Sequence, residues 1–263
     1  MYRCYDSGMS SPHDYDLPDF KLDKFPEQIR WKLSRAYQHL KEFERIASAY
    51  MNVEPSGPGQ LILAPESTPN KPFYNYTTLV PPPPSLGLAS GDFLQNLRSV
   101  LDYLVWQLII ANGKTPDETK TAFPVCKHPS SFKKAKDNRL VGVPDKAIIL
   151  IEQLQPYPDR QEGSRAQPIQ ILDELTNENK HRKISVTAIS SVFKIDQPPP
   201  FPHIELEIAR SRGGQLIPGE RILAFIAFQH GLVKGLEVTA VLSALLNWVG
   251  LDVLPHFERF FVR

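Results

Sequence analysis

One run of apolar residues constrains the fold more than any other feature. Between residues 29 and 50, apolar side chains recur at steps of 4, 3, 4, 3, 4 and 3 residues: Ile29, Leu33, Ala36, Leu40, Phe43, Ala47 and Tyr50. This period places all of them on one face of an α-helix. Pro26 stands at a first-turn position, where the missing N–H of proline costs nothing. The sequence therefore predicts a long amphipathic helix that packs in a bundle.

Three further helices are predicted before residue 183. The second runs from about Ser90 to Ala111, with Ser90 or Asp92 near its N-cap and Asn112-Gly113 as its stop. The third covers residues 144–155, and the fourth begins near residue 166 and carries apolar residues up to the segment 177–183.

Residues 52–86 interrupt this helical pattern. They alternate turn residues with short β-prone runs, which predicts a hairpin or edge strands inserted after the first helix. The insertion ends at the tetraproline Pro81–Pro84, which we expect to be a stiff polyproline II connector that does not enter a helix. A ligand for an aromatic groove is the alternative interpretation of these prolines.

The hydrophobic period changes from 3.6 to 2 after residue 183. Four β-prone runs, ISVTAISSVF, HIELEIARS, QLI and RILAFIAFQ, are separated by turn-rich stretches such as Arg212-Gly213-Gly214. A last strand and a helix that Pro255 breaks are expected to close the chain. The predicted fold class is α+β: a flexible N-terminal arm over 1–23, a helical bundle domain over 24–183 with the insertion 52–86, and an antiparallel sheet with a terminal helix, packed on the bundle, over 184–263.

Composition and charge limit the functional classes. Thirty Lys and Arg against 29 Asp and Glu give a net charge of +1, so no global attraction to nucleic acid or anionic lipid is expected. The two cysteines, Cys4 and Cys126, indicate a reducing compartment. The N-terminus lacks the apolar core of a signal peptide, and residues 238–254 are interrupted by polar residues. We therefore expect a cytoplasmic protein without a membrane span.

The segment LTNENKHR, from Leu175 to Arg182, contains the side chains that could bind a ligand or catalyse a reaction. Asn177 and His181 stand four residues apart and share one face if the helix continues. Lys180 and Arg182 flank the imidazole; neighbouring cations disfavour its charged form, whereas a bound phosphate favours it. The pattern therefore suits phosphodiester binding or general acid–base catalysis. The same residues also suit a helix C-terminus, where they would bind the last carbonyls, or a packed structural histidine.

Arg98 and Asp102 are the other polar pair of interest. They are four residues apart on the second predicted helix, which favours an ion pair along that helix. If this helix packs against the one that carries Asn177, the pair could instead orient His181 in a shared polar groove.

The remaining motifs are weaker. One basic patch is either a solvent-exposed face of the protein or an RNA-binding surface. It consists of Lys127, Lys133, Lys134, Lys136 and Arg139. Cys126 and His128 supply two ligands where a closed zinc site needs four, so no metal is expected. The phosphate-loop, dinucleotide, zinc-protease and nucleophile-elbow motifs are missing from the sequence, so no cofactor is expected either.

The helical pattern and the Asn-x-x-x-His spacing resemble the HEPN superfamily of helical bundles. The likeness covers residues 24–183 and rests on two amphipathic helices, the second containing RSVLDYLVWQL, followed by the motif at the end of a later helix. The family signature is an Arg, four to six further residues and a His, often with Asn directly after the Arg. Asn177 and His181 match the Asn and the His, while Thr176 occupies the Arg position.

The resemblance implies two alternative functions. Many HEPN proteins are RNases or nucleotide-binding partners in toxin–antitoxin and antiviral systems, and their sites usually form across a homodimer with the motif helices facing each other. The first alternative is a binding or interaction module in bacterial defence or regulation, with a protein, RNA or nucleotide as partner. The second is a metal-independent RNase in which His181 is the general acid–base and Asn177 orients the phosphate. The candidate substrate-binding residues are Arg98, Asp102, Lys180 and Arg182.

Overall fold

The computed structural model describes most of the 263 residues. The described residues are 18, 20–53, 57–63, 65, 74–158, 166–181, 184–194, 199–206 and 220–262. Most of the expected N-terminal arm, residues 1–17 and 19, falls outside them. Phe20 and Leu22, near the end of that arm, are buried.

The structure contains helices and two antiparallel sheets, so the α+β class is confirmed. The helices are α1 Glu27–Met51, α2 Pro84–Ala111, α3 Pro129–Arg139, α4 Asp145–Gln153, α5 Pro168–His181 and α6 Val238–Asn247. The strands are β1 Gly59–Leu63, β2 Tyr74–Thr78, β3 Val186–Lys194, β4 His203–Leu206 and β5 Glu220–Phe228.

Helices α1, α2, α5 and α6 form the bundle. All seven apolar residues of the α1 pattern are buried, as the period predicts. Gln107, near the end of α2, donates to Gln28 at 3.4 Å, and the Tyr50 hydroxyl donates to the Val80 carbonyl at 2.6 Å. The end of α1 therefore lies beside the start of α2, and these two helices run antiparallel. The fourth bundle helix is α6, whereas the predicted third helix, α4, lies outside the four-helix bundle.

Helix α2 begins earlier than expected. Pro84 is its first residue and Pro83 its N-cap, so the prediction that the tetraproline does not enter a helix was wrong. Proline at the first helical position is favourable because its missing N–H would have no intrahelical partner there. Ser90 is not a cap: it is buried within the helix, and its hydroxyl donates to the Leu86 carbonyl at 2.9 Å. The predicted stop is correct, with Asn112 as C-cap and Gly113 at φ 70°.

The basic stretch after residue 128 is helical, which the sequence did not predict. Helix α3 buries only Phe132, so its sequence carries no apolar period. The five basic residues of the patch are exposed on α3 or beside it.

The sheets agree with the predicted β-prone runs. β1 and β2 form the expected hairpin after α1, and Thr78 of β2 donates to the Ala188 carbonyl of β3 at 3.2 Å. The larger sheet has the order β3-β5-β4, with β5 in the centre. The QLI run and the turn at 212–214 lie outside the described residues.

The C-terminal segment is helical almost from its start. In the described part of the chain, an isolated bridge between Ala227 and Glu237 takes the place of the expected last strand. Helix α6 then continues as a π-helical stretch, Trp248–Val253, and a 3₁₀ stretch, Leu254–Phe260. Pro255 therefore coincides with a change of helical pitch and does not break the helix. Proline removes one intrahelical hydrogen bond, which such local adjustments accommodate.

This C-terminal helical segment is longer and more apolar than the interrupted pattern suggested. Val238–Phe260 spans 23 residues, and its 18-residue apolar window has a mean hydropathy of 1.6, which is enough to cross a membrane by length and composition alone. In the fold, however, 56% of its apolar window is buried inside the protein. Val238, Leu242, Val249 and Phe257 belong to the core. Core packing therefore involves a little over half of this apolar window.

Candidate functional site

Helix α5 carries the predicted motif on its last turns. The helix extends to His181, so Asn177 and His181 share one helical face as expected. Asn177 is exposed, and its amide donates to the Asp173 carboxylate at 3.2 Å. Lys180 is exposed as well. The side chain of His181 and the whole of Arg182 lie outside the described residues.

Thr176, at the position where the HEPN signature has arginine, faces the core. It is 2% exposed, and its hydroxyl donates to the Leu172 carbonyl at 2.6 Å. A side chain at this position points away from solvent and from any ligand on the outer face of α5. The position of Thr176 is therefore part of the helix packing.

Asn179 joins α5 to α2 at close range. Its amide donates to the Gly91 carbonyl at 3.3 Å. A Cβ atom on Gly91 would lie 2.3 Å from the Asn179 Oδ1, which no real contact allows. Asn179 thus occupies the space that the missing side chain of Gly91 leaves, and the two helices meet there.

Arg98 and Asp102 form the expected ion pair, with Arg98 Nη2 and Asp102 Oδ1 3.4 Å apart. Both side chains also bind the backbone of Phe123, in the loop before α3. Arg98 Nη2 donates to the Phe123 carbonyl, and the Phe123 N–H donates to Asp102 Oδ1 at 2.9 Å. The pair therefore holds both polar backbone groups of one buried residue. This is a structural task that the spacing of the pair did not reveal.

The Phe123 loop is fixed at a second point. Gln155, which is fully buried after α4, accepts from the Cys126 N–H at 2.8 Å and donates to the Ile151 carbonyl at 2.9 Å. Burial raises the pKa of the Cys126 thiol, and the Arg139 guanidinium opposes this effect. The loop between α2 and α3 is thus tied to both α2 and the end of α4.

The predicted site residues consequently fall into two groups. Arg98 and Asp102 serve the Phe123 loop, whereas Asn177 and Lys180 face outward on α5. Among the residues that the structure describes, no hydrogen bond or ion pair joins the two groups. The shared polar groove that would let Arg98 and Asp102 orient His181 has no support in these contacts.

The buried titratable groups His39 and Glu237 were not singled out from the sequence. His39 of α1 is 7% exposed, and its Nδ1 lies 3.5 Å from Glu42 Oε2 without a hydrogen bond. Burial, assisted by Arg35, lowers the pKa of His39 against the opposing effects of Asp92 and Glu42. The second group is Glu237, at the N-cap of α6. A single polar residue in an apolar pattern is the signal for both, but it does not distinguish a packed side chain from a functional one.

Metal ligation gains no support. In the ranges that the structure covers, no group of three or more His, Cys, Asp or Glu side chains could hold a metal ion.

Comparisons with known protein families, with curated proteins and with solved structures found no match to this chain.

Proposed function

We propose that this chain is a HEPN-like binding or interaction module and that it does not cleave RNA with its Asn177–His181 motif. The observation that carries the proposal is that Arg98 and Asp102, besides pairing with each other, both form hydrogen bonds with the Phe123 backbone. A nuclease of this type needs a cation at the scissile phosphate. Thr176 stands where the signature has arginine, and Arg98 binds the Phe123 backbone, so Lys180 is the one candidate substrate-binding cation that the structure describes on the exposed surface of α5.

The outer face of α5 supports a protein partner over RNA. Among its described residues, Asn177 and Lys180 are exposed, and the half-buried Asp173 carboxylate accepts from Asn177, so the face combines one cation, one amide and one carboxylate. A surface that grips a nucleic-acid backbone is dominated by Lys and Arg. The HEPN resemblance implies that the partner is a second copy of this chain, with the two α5 helices facing each other. It also implies a role in bacterial defence or regulation.

The experiment that tests the catalytic alternative is RNA cleavage by the purified chain. We expect wild type, His181→Ala and Asn177→Ala to release no more product than a sample without protein, on single-stranded and hairpin RNA. Cleavage by wild type that His181→Ala abolishes would contradict the proposal. Equal trace cleavage by all three proteins would identify a contaminating nuclease.

The interaction itself is tested by sedimentation equilibrium on the same proteins. We expect wild type to sediment as a dimer and Asn177→Arg to shift it toward monomer, because two added like charges would face each other across the symmetric interface. The matched control is Ala49→Arg, an exposed position at the end of α1. A monomeric wild type, or a dimer that Asn177→Arg leaves intact, would count against the arrangement.

A further inference from the structure

Glu237 is a buried carboxylate with no cationic partner among the residues that the structure describes. It is 8% exposed and caps α6, where Oε2 accepts from the Ala240 N–H at 2.5 Å. Within the described part of the chain, no Lys, Arg or His lies within ion-pair distance of it. Glutamate is almost never buried unless it is paired. The cap satisfies one oxygen, but no described residue supplies a counter-ion for the charge of the carboxylate.

The same residue lies in the wall of an apolar cavity between α5 and α6 that opens to solvent along the exposed residues Leu236, Ala240 and Ala244. The cavity has a volume of about 340 Å³ and is lined, besides Glu237, by Pro168, Ile171, Leu236, Ala240, Val241, Ala244 and Leu245. Small-molecule sites have volumes of roughly 300–1,000 Å³ and combine apolar walls with a few polar groups. This cavity lies along the first half of α5, whereas the Asn177 motif occupies its last turns.

The electrostatics of the cavity favour a positively charged ligand. Burial raises the pKa of Glu237, backbone hydrogen bonds at the cap oppose the rise, and Glu44 of α1 adds to it. The surroundings thus penalise the ionised carboxylate. A cation beside it would offset this penalty, whereas an anion would increase it.

We propose that the α5–α6 cavity binds a small apolar ammonium compound, with its hydrocarbon body against Ile171, Val241 and Ala244 and its ammonium group on the Glu237 carboxylate. This goes beyond the proposed function, because it assigns a ligand class to a second site. The binding energy comes from apolar burial along the walls and from one charge-assisted hydrogen bond at the cap.

The test compares three probes of equal chain length by titration calorimetry: hexylammonium, 1-hexanol and hexanoate. We expect wild type to bind hexylammonium about tenfold or more tightly than 1-hexanol, because a hydrogen bond to a charged group is strongly favourable. Hexanoate should bind most weakly. Glu118→Gln, which alters an exposed loop carboxylate, should retain these preferences.

Two variants make the proposal falsifiable. In Glu237→Gln the amide oxygen can still accept from Ala240, so the helix stays capped, and the preference for hexylammonium over 1-hexanol should disappear. Ala244→Phe should fill the cavity and remove saturable binding of both probes. Equal affinities in wild type, an ammonium preference that survives Glu237→Gln, binding that survives Ala244→Phe, or no saturable binding of any probe would overturn the proposal. None of these results bears on RNA cleavage or on dimer formation.

Discussion

Replacing Arg98 with methionine is expected to lower the free energy of unfolding by about 2 kcal/mol, because a hydrogen bond to a charged group is lost. The Arg98 side chain is 12% exposed, so solvent does little to replace the guanidinium at the Phe123 carbonyl. Methionine keeps the unbranched chain and the helix propensity of arginine. The change therefore removes the polar contacts and leaves most of the packing. Urea unfolding, followed by circular dichroism, measures the difference.

Arg45→Met is the matched control for this experiment. Arg45 is exposed on α1. Its substitution should change the unfolding free energy by no more than about 0.5 kcal/mol. If Arg98→Met and Arg45→Met have equal effects, the Arg98–Asp102 pair does not hold the Phe123 loop, and Arg98 is again available for another role.

The second large effect is a reversal in the stability change caused by Gly91→Ala, at the contact between α2 and α5. In wild type, Gly91→Ala should destabilise the fold by about 1–2 kcal/mol, because the new Cβ collides with Asn179 and displaces its hydrogen bond. In the Asn179→Ala background the same substitution should stabilise the fold by up to about 1 kcal/mol, since alanine is the better helix former.

The four proteins of this double-mutant cycle are compared by the same urea unfolding. The expected interaction energy is well above the few tenths of a kcal/mol that independent sites show. Additive effects of Gly91→Ala and Asn179→Ala would mean that the two helices do not meet at these residues. Gly113→Ala is unsuitable as a control because its φ of 70° strains any other residue.

The helices that bury one continuous face were predictable from the sequence. The α1 pattern from Ile29 to Tyr50 identifies every buried apolar position of α1 except Met51, because a bundle repeats its contacts at the helical period. Helix α3 could not be found in this way, since a helix that buries only Phe132 has no repeat. The first turn of α2 does not follow from a rule that excludes proline from helices, because the first helical position tolerates proline.

The polar residues of the candidate site were recognisable, but their roles were not. The four-residue spacing of Arg98 and Asp102 predicts their ion pair. Their shared partner, Phe123, is 25 and 21 residues away in a loop without regular structure. Contacts of this kind depend on how the chain folds back, which no local pattern records. The same holds for Asn179, whose partner Gly91 is 88 residues away.

The most direct measurement of the central claim is an NMR titration of ¹⁵N-labelled protein with single-stranded RNA. If Arg98 and Asp102 serve the Phe123 loop alone, the Arg98 Nε–Hε signal and the Phe123 amide signal should keep their positions throughout the titration. A saturable shift of the Arg98 signal, absent in His181→Ala, would show that the guanidinium and the motif act together on RNA and would contradict the structural role.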